Sequence, residues 1–286
     1  MIVGRRLEDQ HVDLGERGVY HRGNRLNDLT GKEWVFATRS VMPLTFPPSY
    51  QHALRSQHGG QKPPELCEQL IRTFTKAGQR VLDPFMGVGG TLLGAGIAGR
   101  EAVGIETNPR WVEVYREVCR REGLPEQTAL VGDSRKVLPA LAGPFDLVLT
   151  DVPFWDMDQR RRSTGKWKRA GEEAQEKAGT KLNAFNDGHA PQSREEWLGM
   201  LREVFTGCRP LLKPKGYLVS FIGDMYHSGR YHPLNHYLAD LLEELGYTFK
   251  ANLIWYDVSK KLRVYGFKYE FIPSMTHQNI LVFRNG

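Results

Sequence analysis

The chain has 286 residues, 40% of them hydrophobic, which is enough to bury the core of one large α/β domain or two small ones. Its formal net charge of +6 is compatible with a polyanionic partner, although many basic proteins bind no nucleic acid. No apolar run is long enough to span a membrane, and the charged first ten residues argue against a secretory signal. The cysteines, Cys67, Cys119 and Cys208, have no paired spacing, which predicts reduced thiols and a cytoplasmic location.

Residues 1–60 are polar and rich in turn formers, and we interpret them as an N-terminal extension with one short strand at residues 34–37. Residues 61–286 differ, because short apolar runs alternate there with amphipathic helical patterns. This alternation is typical of an α/β domain with a largely parallel sheet. The first helix of this domain follows Pro63 and Pro64, since proline is well suited to the first turn of a helix.

Seven apolar runs in this domain have the length of buried strands. The predicted strands are residues 80–83, 102–106, 129–131, 146–150, 217–222, 249–255 and 279–283. Asn108 followed by Pro109 predicts one helix start, and the capping box from Ser193 to Glu196 predicts another. Residues 155–192 interrupt the pattern, because they are charged, glycine-rich and almost without aliphatic side chains. We predict a long loop there, and loops of this length inside a domain are usually functional or disordered.

Three acidic residues follow successive predicted strands. Asp83 ends the first strand and begins a glycine-rich turn that leads into a helix at Thr91. Glycines at such a turn let a ligand approach the backbone, and the helix N-terminus adds hydrogen-bond donors. Glu106 ends the second strand, where a carboxylate can accept ribose hydroxyls, and Asp133 follows the third, where it can accept from an adenine amino group. Because parallel strands end at one edge of the sheet, these residues predict a nucleoside cofactor site.

Two short motifs carry a resemblance to a known family. The turn reads Asp-Pro-Phe-Met-Gly-Val-Gly-Gly over residues 83–90, and Asp-Val-Pro-Phe occupies residues 151–154. Both resemble motifs of the amino-group DNA methyltransferases, which methylate adenine N6 or cytosine N4. Further similar segments at residues 61–66, 211–218 and 277–284 extend the resemblance from about residue 33 to the end, apart from the 155–192 insert.

The resemblance implies a class I methyltransferase fold, which is a Rossmann-like, doubly wound sheet of seven mostly parallel strands with an antiparallel last strand. It also implies S-adenosylmethionine as the cofactor, with Phe85 contacting its methionine part and Lys62 in the segment that packs over the methionine end. The cofactor-binding residues expected from these motifs are Lys62, Asp83, Pro84, Phe85, Gly87, Gly89, Glu106, Thr107, Asp133 and Ser134.

The resemblance further makes Asp151, Val152, Pro153 and Phe154 the catalytic motif. An exocyclic amino nitrogen is a poor nucleophile, because its lone pair is delocalised into the ring of the base. If the Asp151 carboxylate and the Val152 carbonyl accept its two hydrogens, the lone pair is localised, while Phe154 stacks on the flipped base. The family has proline at position 152, so valine there departs from its pattern.

Double-stranded DNA is the expected partner and RNA the less favoured one. Adenine N6 is slightly favoured over cytosine N4, because the cytosine enzymes more often carry serine at position 151. A basic cluster directly after the catalytic motif suits phosphate contacts, and a weaker basic patch precedes the last strand. The predicted nucleic-acid-binding residues are Trp155, Arg160, Arg161, Arg162, Lys166, Lys168, Arg169, Lys260, Lys261 and Arg263.

Several alternatives share part of this pattern. An RNA base amino-group methyltransferase would use the same catalytic motif, and a catalytically impaired nucleic-acid-binding homologue would keep the cofactor pocket. Methylation at cytosine C5 is disfavoured, since no cysteine follows a proline. A metal is not expected, because His232 and His236 have no Glu-x-x-His partner motif. No membrane contact is expected, and the sequence leaves open both the recognition sequence and a restriction or specificity partner.

Overall fold

The computed structural model describes residues 10–155, 191, 193–227, 229–260, 262, 271 and 273–286. The elements before residue 60 are β1 (His11–Asp13), β2 (Val19–His21), α1 (Gly31–Ala37), β3 (Val41–Pro43) and α2 (His52–Arg55). Those of the middle are α3 (Pro64–Phe74), β4 (Arg80–Asp83), α4 (Gly90–Ile97), β5 (Glu101–Glu106), α5 (Pro109–Glu122), β6 (Thr128–Val131), α6 (Ser134–Val137) and β7 (Phe145–Asp151). The last are α7 (Arg194–Cys208), β8 (Leu212–Ile222), β9 (Met225–His227), β10 (Arg230–His232), α8 (Leu234–Glu244), β11 (Tyr247–Tyr256) and β12 (His277–Asn285).

Eight strands form one sheet in the order β3-β11-β12-β8-β7-β4-β5-β6. The strands from β4 to β8 pair in parallel, whereas β12 runs antiparallel to both of its neighbours. The prediction of a mostly parallel sheet with an antiparallel last strand is therefore confirmed. The direction of the strand order reverses between β4 and β7, and open α/β sheets bind ligands at the carboxyl ends of the strands beside such a point.

The sheet has one strand more than the seven expected. β3 supplies it by pairing in parallel with β11. The Ile254 N–H also donates to the Ser40 carbonyl at 2.7 Å, and the Trp255 indole N–H donates to the Leu44 carbonyl at 3.0 Å. Part of the segment interpreted as an N-terminal extension therefore completes one edge of the main sheet.

The prediction of a strand at residues 34–37 is wrong, because these residues belong to α1. Thr30 caps this helix: its hydroxyl accepts from the Glu33 N–H at 3.3 Å, and the Glu33 carboxylate accepts from the Thr30 N–H at 2.9 Å. This reciprocal capping box stabilises the first helical turn and outweighs the β propensity of the apolar residues that follow. The Thr-x-x-Glu spacing is visible in the sequence, and it is the signal that indicates the helix.

Two other predicted helix starts are confirmed. The Asn108 side chain accepts from the Arg110 N–H at 3.0 Å, and Pro109 is the first residue of α5. The Ser193 hydroxyl accepts from the Glu196 N–H at 3.1 Å at the start of α7. Both caps satisfy N–H groups that have no partner within their helix.

Helices cover both faces of the sheet, which is the doubly wound arrangement. The helices α3, α4 and α5 pack on one face, where Val81 and Leu147 point. The helices α7 and α8 pack on the other face, where Leu82 and Val148 point. Successive residues of a strand point to opposite faces, so the central strands are buried on both sides and their carboxyl edge remains for ligands. Within the described ranges, no helix is long and apolar enough to cross a membrane.

Candidate active site

A cavity of 720 Å³ lies at the carboxyl ends of β4, β5 and β7, where the strand order reverses. Its volume is typical of small-molecule and cofactor sites. Residues expected to bind cofactor or to act in catalysis line much of it: Lys62, Asp83, Pro84, Phe85, Gly87, Glu106, Thr107, Asp133, Ser134, Asp151, Val152 and Pro153. Gly89 and Phe154 are outside this lining. Gly89 has a left-handed conformation at the start of α4, where a side chain would collide with the Tyr115 ring.

Glu106 is a buried carboxylate that three donors hold in place. Its Oε1 accepts from the Asn108 N–H at 2.8 Å and the Thr107 hydroxyl at 3.2 Å, and its Oε2 accepts from the Gly87 N–H at 3.0 Å. Burial raises the pKa of Glu106 to about 7, although these hydrogen bonds oppose the rise. A carboxylate offers about four acceptor positions, so it still has capacity for a ligand hydroxyl.

We expect cofactor affinity to follow the ionisation of Glu106. Ribose hydroxyls donate hydrogen bonds and so favour the carboxylate form, which means that affinity should rise as the pH increases through about 7. Folding raises this pKa from the ordinary 4.5 to about 7. The free energy of unfolding of the cofactor-free protein should therefore fall as the pH rises from about 4.5 to about 7. Calorimetric titrations with S-adenosylmethionine below and above this pKa, and thermal melts without it, measure the two effects.

A truncation and a matched control isolate this carboxylate. Glu106→Ala should weaken cofactor binding by roughly 1.5–3 kcal/mol and flatten its pH dependence. Glu101→Ala removes an exposed carboxylate from the other end of β5 and should change neither. Unchanged affinity in a folded Glu106→Ala protein would refute the assignment of Glu106 to the cofactor.

Asp83 links the glycine-rich turn to the catalytic motif. Its Oδ1 accepts from the Thr150 hydroxyl at 2.6 Å and from the Phe85 N–H at 3.0 Å. Thr150 immediately precedes Asp151 on β7, so one hydrogen bond connects the two motifs that the sequence places 67 residues apart. Burial raises the pKa of Asp83 to about 6, despite the hydrogen bond from Thr150.

Asp151 forms an ion pair with Lys62, whose ammonium contacts Oδ2 of the carboxylate. The Lys62 side chain is only 8% exposed, and its ammonium also lies 5.4 Å from the centre of the Phe221 ring. Burial raises the pKa of Asp151, whereas the charge of Lys62 lowers it. Lys62 thus lines the cavity, but its contact with the Asp151 carboxylate is not evident from the sequence.

Arg55 holds the segment that carries Lys62. Its side chain is almost fully buried, and its guanidinium donates to the carbonyls of Ser49, Tyr50 and Lys62 at 3.2, 2.8 and 3.1 Å. Burial lowers the pKa of this guanidinium. Sequence reasoning missed Arg55, because nothing in the pattern of residues 1–60 indicates that this part of the chain folds over the cavity.

The backbone of the catalytic motif is held from α7. The Trp197 indole N–H donates to the Pro153 carbonyl at 2.6 Å, and Trp197 is fully buried. Trp155, which the sequence predicts to contact nucleic acid, is only 4% exposed, and its ring centre lies 5.4 Å from that of Trp197. Trp155 is therefore part of the core in this structure, because tryptophan buries more apolar area there than at the surface. Phe154 lies beside Gly223 at the end of β8.

Asp133 lines the cavity, and its carboxylate is paired with Arg135. Its Oδ1 accepts from the Arg135 N–H at 3.0 Å at the start of α6, and the Arg135 guanidinium lies 2.7 Å from Oδ2. These hydrogen bonds lower the pKa of Asp133. Arg135 also lines the cavity, as do Gln61 and His58, and neither Arg135 nor His58 belongs to a motif recognisable in the sequence.

Most of the predicted nucleic-acid contacts lie outside the described residues, namely Arg160, Arg161, Arg162, Lys166, Lys168, Arg169, Lys261 and Arg263. Lys260 is described. Burial and repulsion from Lys62 both lower its pKa. Among the described residues, no group of three His, Cys, Asp or Glu side chains is arranged to hold a metal ion.

A family model described as DNA methylase, for N6 and N4 methyltransferases, matches residues 18–117 and 145–285. The chain belongs to this amino-group DNA methylase family. Both motifs lie inside the matched ranges, and the family together with the class I fold implies S-adenosylmethionine as the cofactor. The cavity fits such a ligand: Gly87 has a φ of +51°, and a Cβ there would lie 3.3 Å from the His58 ring, so only glycine keeps the turn open beside Glu106.

Individual relatives of this chain match over shorter stretches. The tRNA (guanine(10)-N2)-dimethyltransferase of Pyrococcus abyssi is 29% identical over 133 residues, which are 46% of this chain and 36% of that protein. The Type II methyltransferase M2.DpnII of Streptococcus pneumoniae is 38% identical over 66 residues, 23% of this chain and 25% of that protein. In the crystal structure of TrmN from Thermus thermophilus, the fold is similar with a TM-score of 0.52 and 16% identity, over 85% of this chain and 55% of that one. The match therefore spans about a third of the first curated relative.

Proposed function

We propose that this protein transfers a methyl group from S-adenosylmethionine to an exocyclic amino nitrogen of a base in DNA, with adenine N6 favoured over cytosine N4. One observation carries the proposal. The Asp-Val-Pro-Phe motif begins at the carboxyl end of β7, beside the cavity that Glu106 lines, and the Asp151 carboxylate is ion-paired with Lys62. A carboxylate and a backbone carbonyl beside a cofactor cavity are the acceptors that an amino group requires.

S-adenosylmethionine supplies an electrophilic methyl group when it is bound. The residues of the chain act on the base. Oδ1 of Asp151 accepts one hydrogen of the amino group and the Val152 carbonyl accepts the other, which localises the lone pair and directs it. The negative charge of Asp151 then stabilises the positive charge that develops on the nitrogen, and Phe154 stacks on the flipped base.

Lys62 keeps Asp151 able to act as an acceptor. Burial favours the protonated acid, which would present a donor to the amino group instead of a lone pair. The Lys62 ammonium opposes this, and because it occupies Oδ2 it also sets the direction of Oδ1. The position of Lys62 is restricted in turn, because its ammonium lies over the Phe221 ring and its backbone carbonyl accepts a hydrogen bond from Arg55.

DNA is favoured as the polymer because the family match to DNA methylases covers most of the chain, including both motifs. RNA is the second candidate. The similarity to a tRNA guanine-N2 dimethyltransferase over 133 residues favours it, since that reaction also methylates an exocyclic amino group. The same Asp151 and Val152 acceptors serve either polymer, so the catalytic motif does not distinguish the two.

Methylation of DNA and of RNA by the purified protein, with isotopically labelled S-adenosylmethionine, tests the proposal. After digestion to nucleosides, mass spectrometry identifies the modified base, and we expect labelled N6-methyldeoxyadenosine. Labelled N4-methyldeoxycytidine would support the proposed reaction and identify cytosine, not adenine, as the target base. Label found only in RNA would favour the second candidate, and no label in either polymer would favour an impaired homologue. The Asp151→Ala protein, prepared in parallel, controls for contaminating enzymes.

The basic cluster of the insert should govern DNA affinity. Neutralising Arg160, Arg161, Arg162, Lys166, Lys168 and Arg169 should weaken binding to all sequences and leave cofactor affinity unchanged. The log–log salt slope should fall by roughly 0.9 for each phosphate that the variant no longer neutralises. Fluorescence anisotropy over a series of salt concentrations measures both quantities.

A control with the same change in charge separates local phosphate binding from net charge. Arg160, Arg161 and Arg162 can be neutralised as one triple variant, and Arg116, Arg120 and Arg121 on the exposed side of α5 as another. Only the first triple should reduce affinity and slope. Equal effects from the two triples would mean that the insert contributes net charge alone.

A further inference from the structure

The catalytic motif lacks the proline that its family has at position 152. Proline at position 152 would fix the φ of that residue near −65° and so remove one of the torsions that orient its carbonyl. Valine leaves that torsion free, and the Val152 carbonyl is one of the two acceptors that the proposed function requires. A carbonyl that points in several directions localises the lone pair of the amino nitrogen less effectively, because misplaced acceptors lose much of their effect.

The neighbouring residue provides a second way to fix this carbonyl. The Val152 carbonyl and the Pro153 carbonyl belong to two successive peptide planes. Only two torsions, the φ and ψ of Pro153, set the angle between these planes. The ring of Pro153 locks its φ. If the Pro153 carbonyl is held by a partner, the direction of the Val152 carbonyl is left with little freedom.

Trp197 is that partner. Its buried indole N–H donates to the Pro153 carbonyl at 2.6 Å, which is a short hydrogen bond. Val152, Trp155 and Trp197 belong to one buried cluster, so the donor itself cannot swing away. The Ser193 cap fixes the start of α7 four residues before Trp197.

We propose that Trp197 is a positioning residue for methyl transfer, which fixes the Pro153 carbonyl and through it the Val152 carbonyl, in place of the absent proline. This inference rests on the proposed function. Trp197 does not touch the base or the cofactor, so its replacement should lower kcat and leave the affinity for both ligands nearly unchanged.

Trp197→Phe removes the indole N–H and keeps an aromatic ring in the core. We expect kcat for DNA methylation to fall by about 10²-fold, with little change in KM or in the Kd of S-adenosylmethionine. Trp255→Phe is the matched control, because the Trp255 indole N–H also donates to a carbonyl, that of Leu44, and Trp255 is 9% exposed. This control should lose stability to a similar degree and retain its kcat. Equal losses of kcat in the two variants would overturn the proposal.

Rescue by proline distinguishes positioning from general loosening. Val152→Pro restores the torsional restraint inside the motif, and the extended Asp151 before it is compatible with a following proline. In the Trp197→Phe background it should recover most of the kcat that Trp197→Phe alone loses. No recovery in the double variant would contradict the proposal.

A second variant covers the case in which Trp197→Phe does not fold. Trp197→Met fills the space with a flexible side chain and no donor, and the same comparison with and without Val152→Pro applies. If the parent protein methylates neither DNA nor RNA, the proposed function fails. If the parent is active and Trp197→Phe matches it in kcat, the proposed function stands and the role of Trp197 is refuted.

Discussion

Replacing Asp151 with alanine is expected to lower kcat for methyl transfer by at least about 10³-fold, while the affinity for S-adenosylmethionine stays nearly unchanged. In the proposed mechanism the carboxylate acts on the amino group of the base, whereas the residues proposed to hold the cofactor lie at the ends of β4, β5 and β6. Asp151→Ala also leaves the buried Lys62 ammonium without its partner, so the protein should be less stable. Single-turnover rates and calorimetric titration with the cofactor separate these effects.

Two controls make this result specific. Asp151→Asn keeps an oxygen acceptor and should retain part of the rate. Asp146 lies near the start of the same strand and is paired with Lys213 at 2.5 Å, so Asp146→Ala removes another buried carboxylate from a lysine pair, away from the motif. It should destabilise the protein without reducing the rate per folded molecule. A normal rate in Asp151→Ala would mean that residues 151–154 form only a turn.

Lys62→Met is expected to reduce kcat at neutral pH by about ten- to a hundred-fold and to shift the acidic limb of the pH–rate profile to higher pH. The ionised form of Asp151 is the active one, and activity is lost as the pH falls through its pKa. Burial raises the pKa of Asp151, and the Lys62 charge lowers it. Without that charge the pKa rises further, so the decline in activity begins at a higher pH. The profile of kcat against pH measures the shift.

The charge, not only the position of the side chain, is tested by two companion variants. Lys62→Arg retains a cation and should keep the limb close to its original position. Lys213→Met removes the lysine paired with Asp146 and should leave the profile unchanged. Asp83 and Lys260 are other charged groups near the pair, and both remain in every variant. If Lys62→Met weakens cofactor binding and does not shift the pH–rate profile, Lys62 contributes only to cofactor binding and does not control the ionisation of Asp151.

The sequence predicts the central part of the fold well, because local signals and the rules of parallel sheets agree there. Apolar runs mark β4 to β8, and parallel strands must bring Asp83, Glu106 and Asp151 to one edge. The prediction fails at α1, where the apolar side chains suggest a strand but the Thr30–Glu33 capping box stabilises a helix. β3 escapes prediction for a different reason, since three residues carry little periodicity and their pairing with β11 depends on a distant segment.

The contacts that complete the site are the least predictable part. Lys62 and Asp151 are 89 residues apart, and Trp197 and Pro153 are 44 apart, so no local pattern connects them. Each contact depends on how a loop or helix packs against the edge of the sheet. Such packing follows from the whole fold, whereas a motif reports only on residues that are close in the chain.

β3 is synthesised long before β11, the strand with which it pairs. β3 leaves the ribosome early, but its partner β11 and the Trp255 donor to Leu44 come 211 residues later. Contacts between such distant segments form late, because a long loop must close before they contribute any stability. The N-terminal segment therefore has to wait with Met42 and Leu44, which pack against the core in the folded protein, still exposed. Nascent chains are most open to chaperone binding or aggregation during that interval.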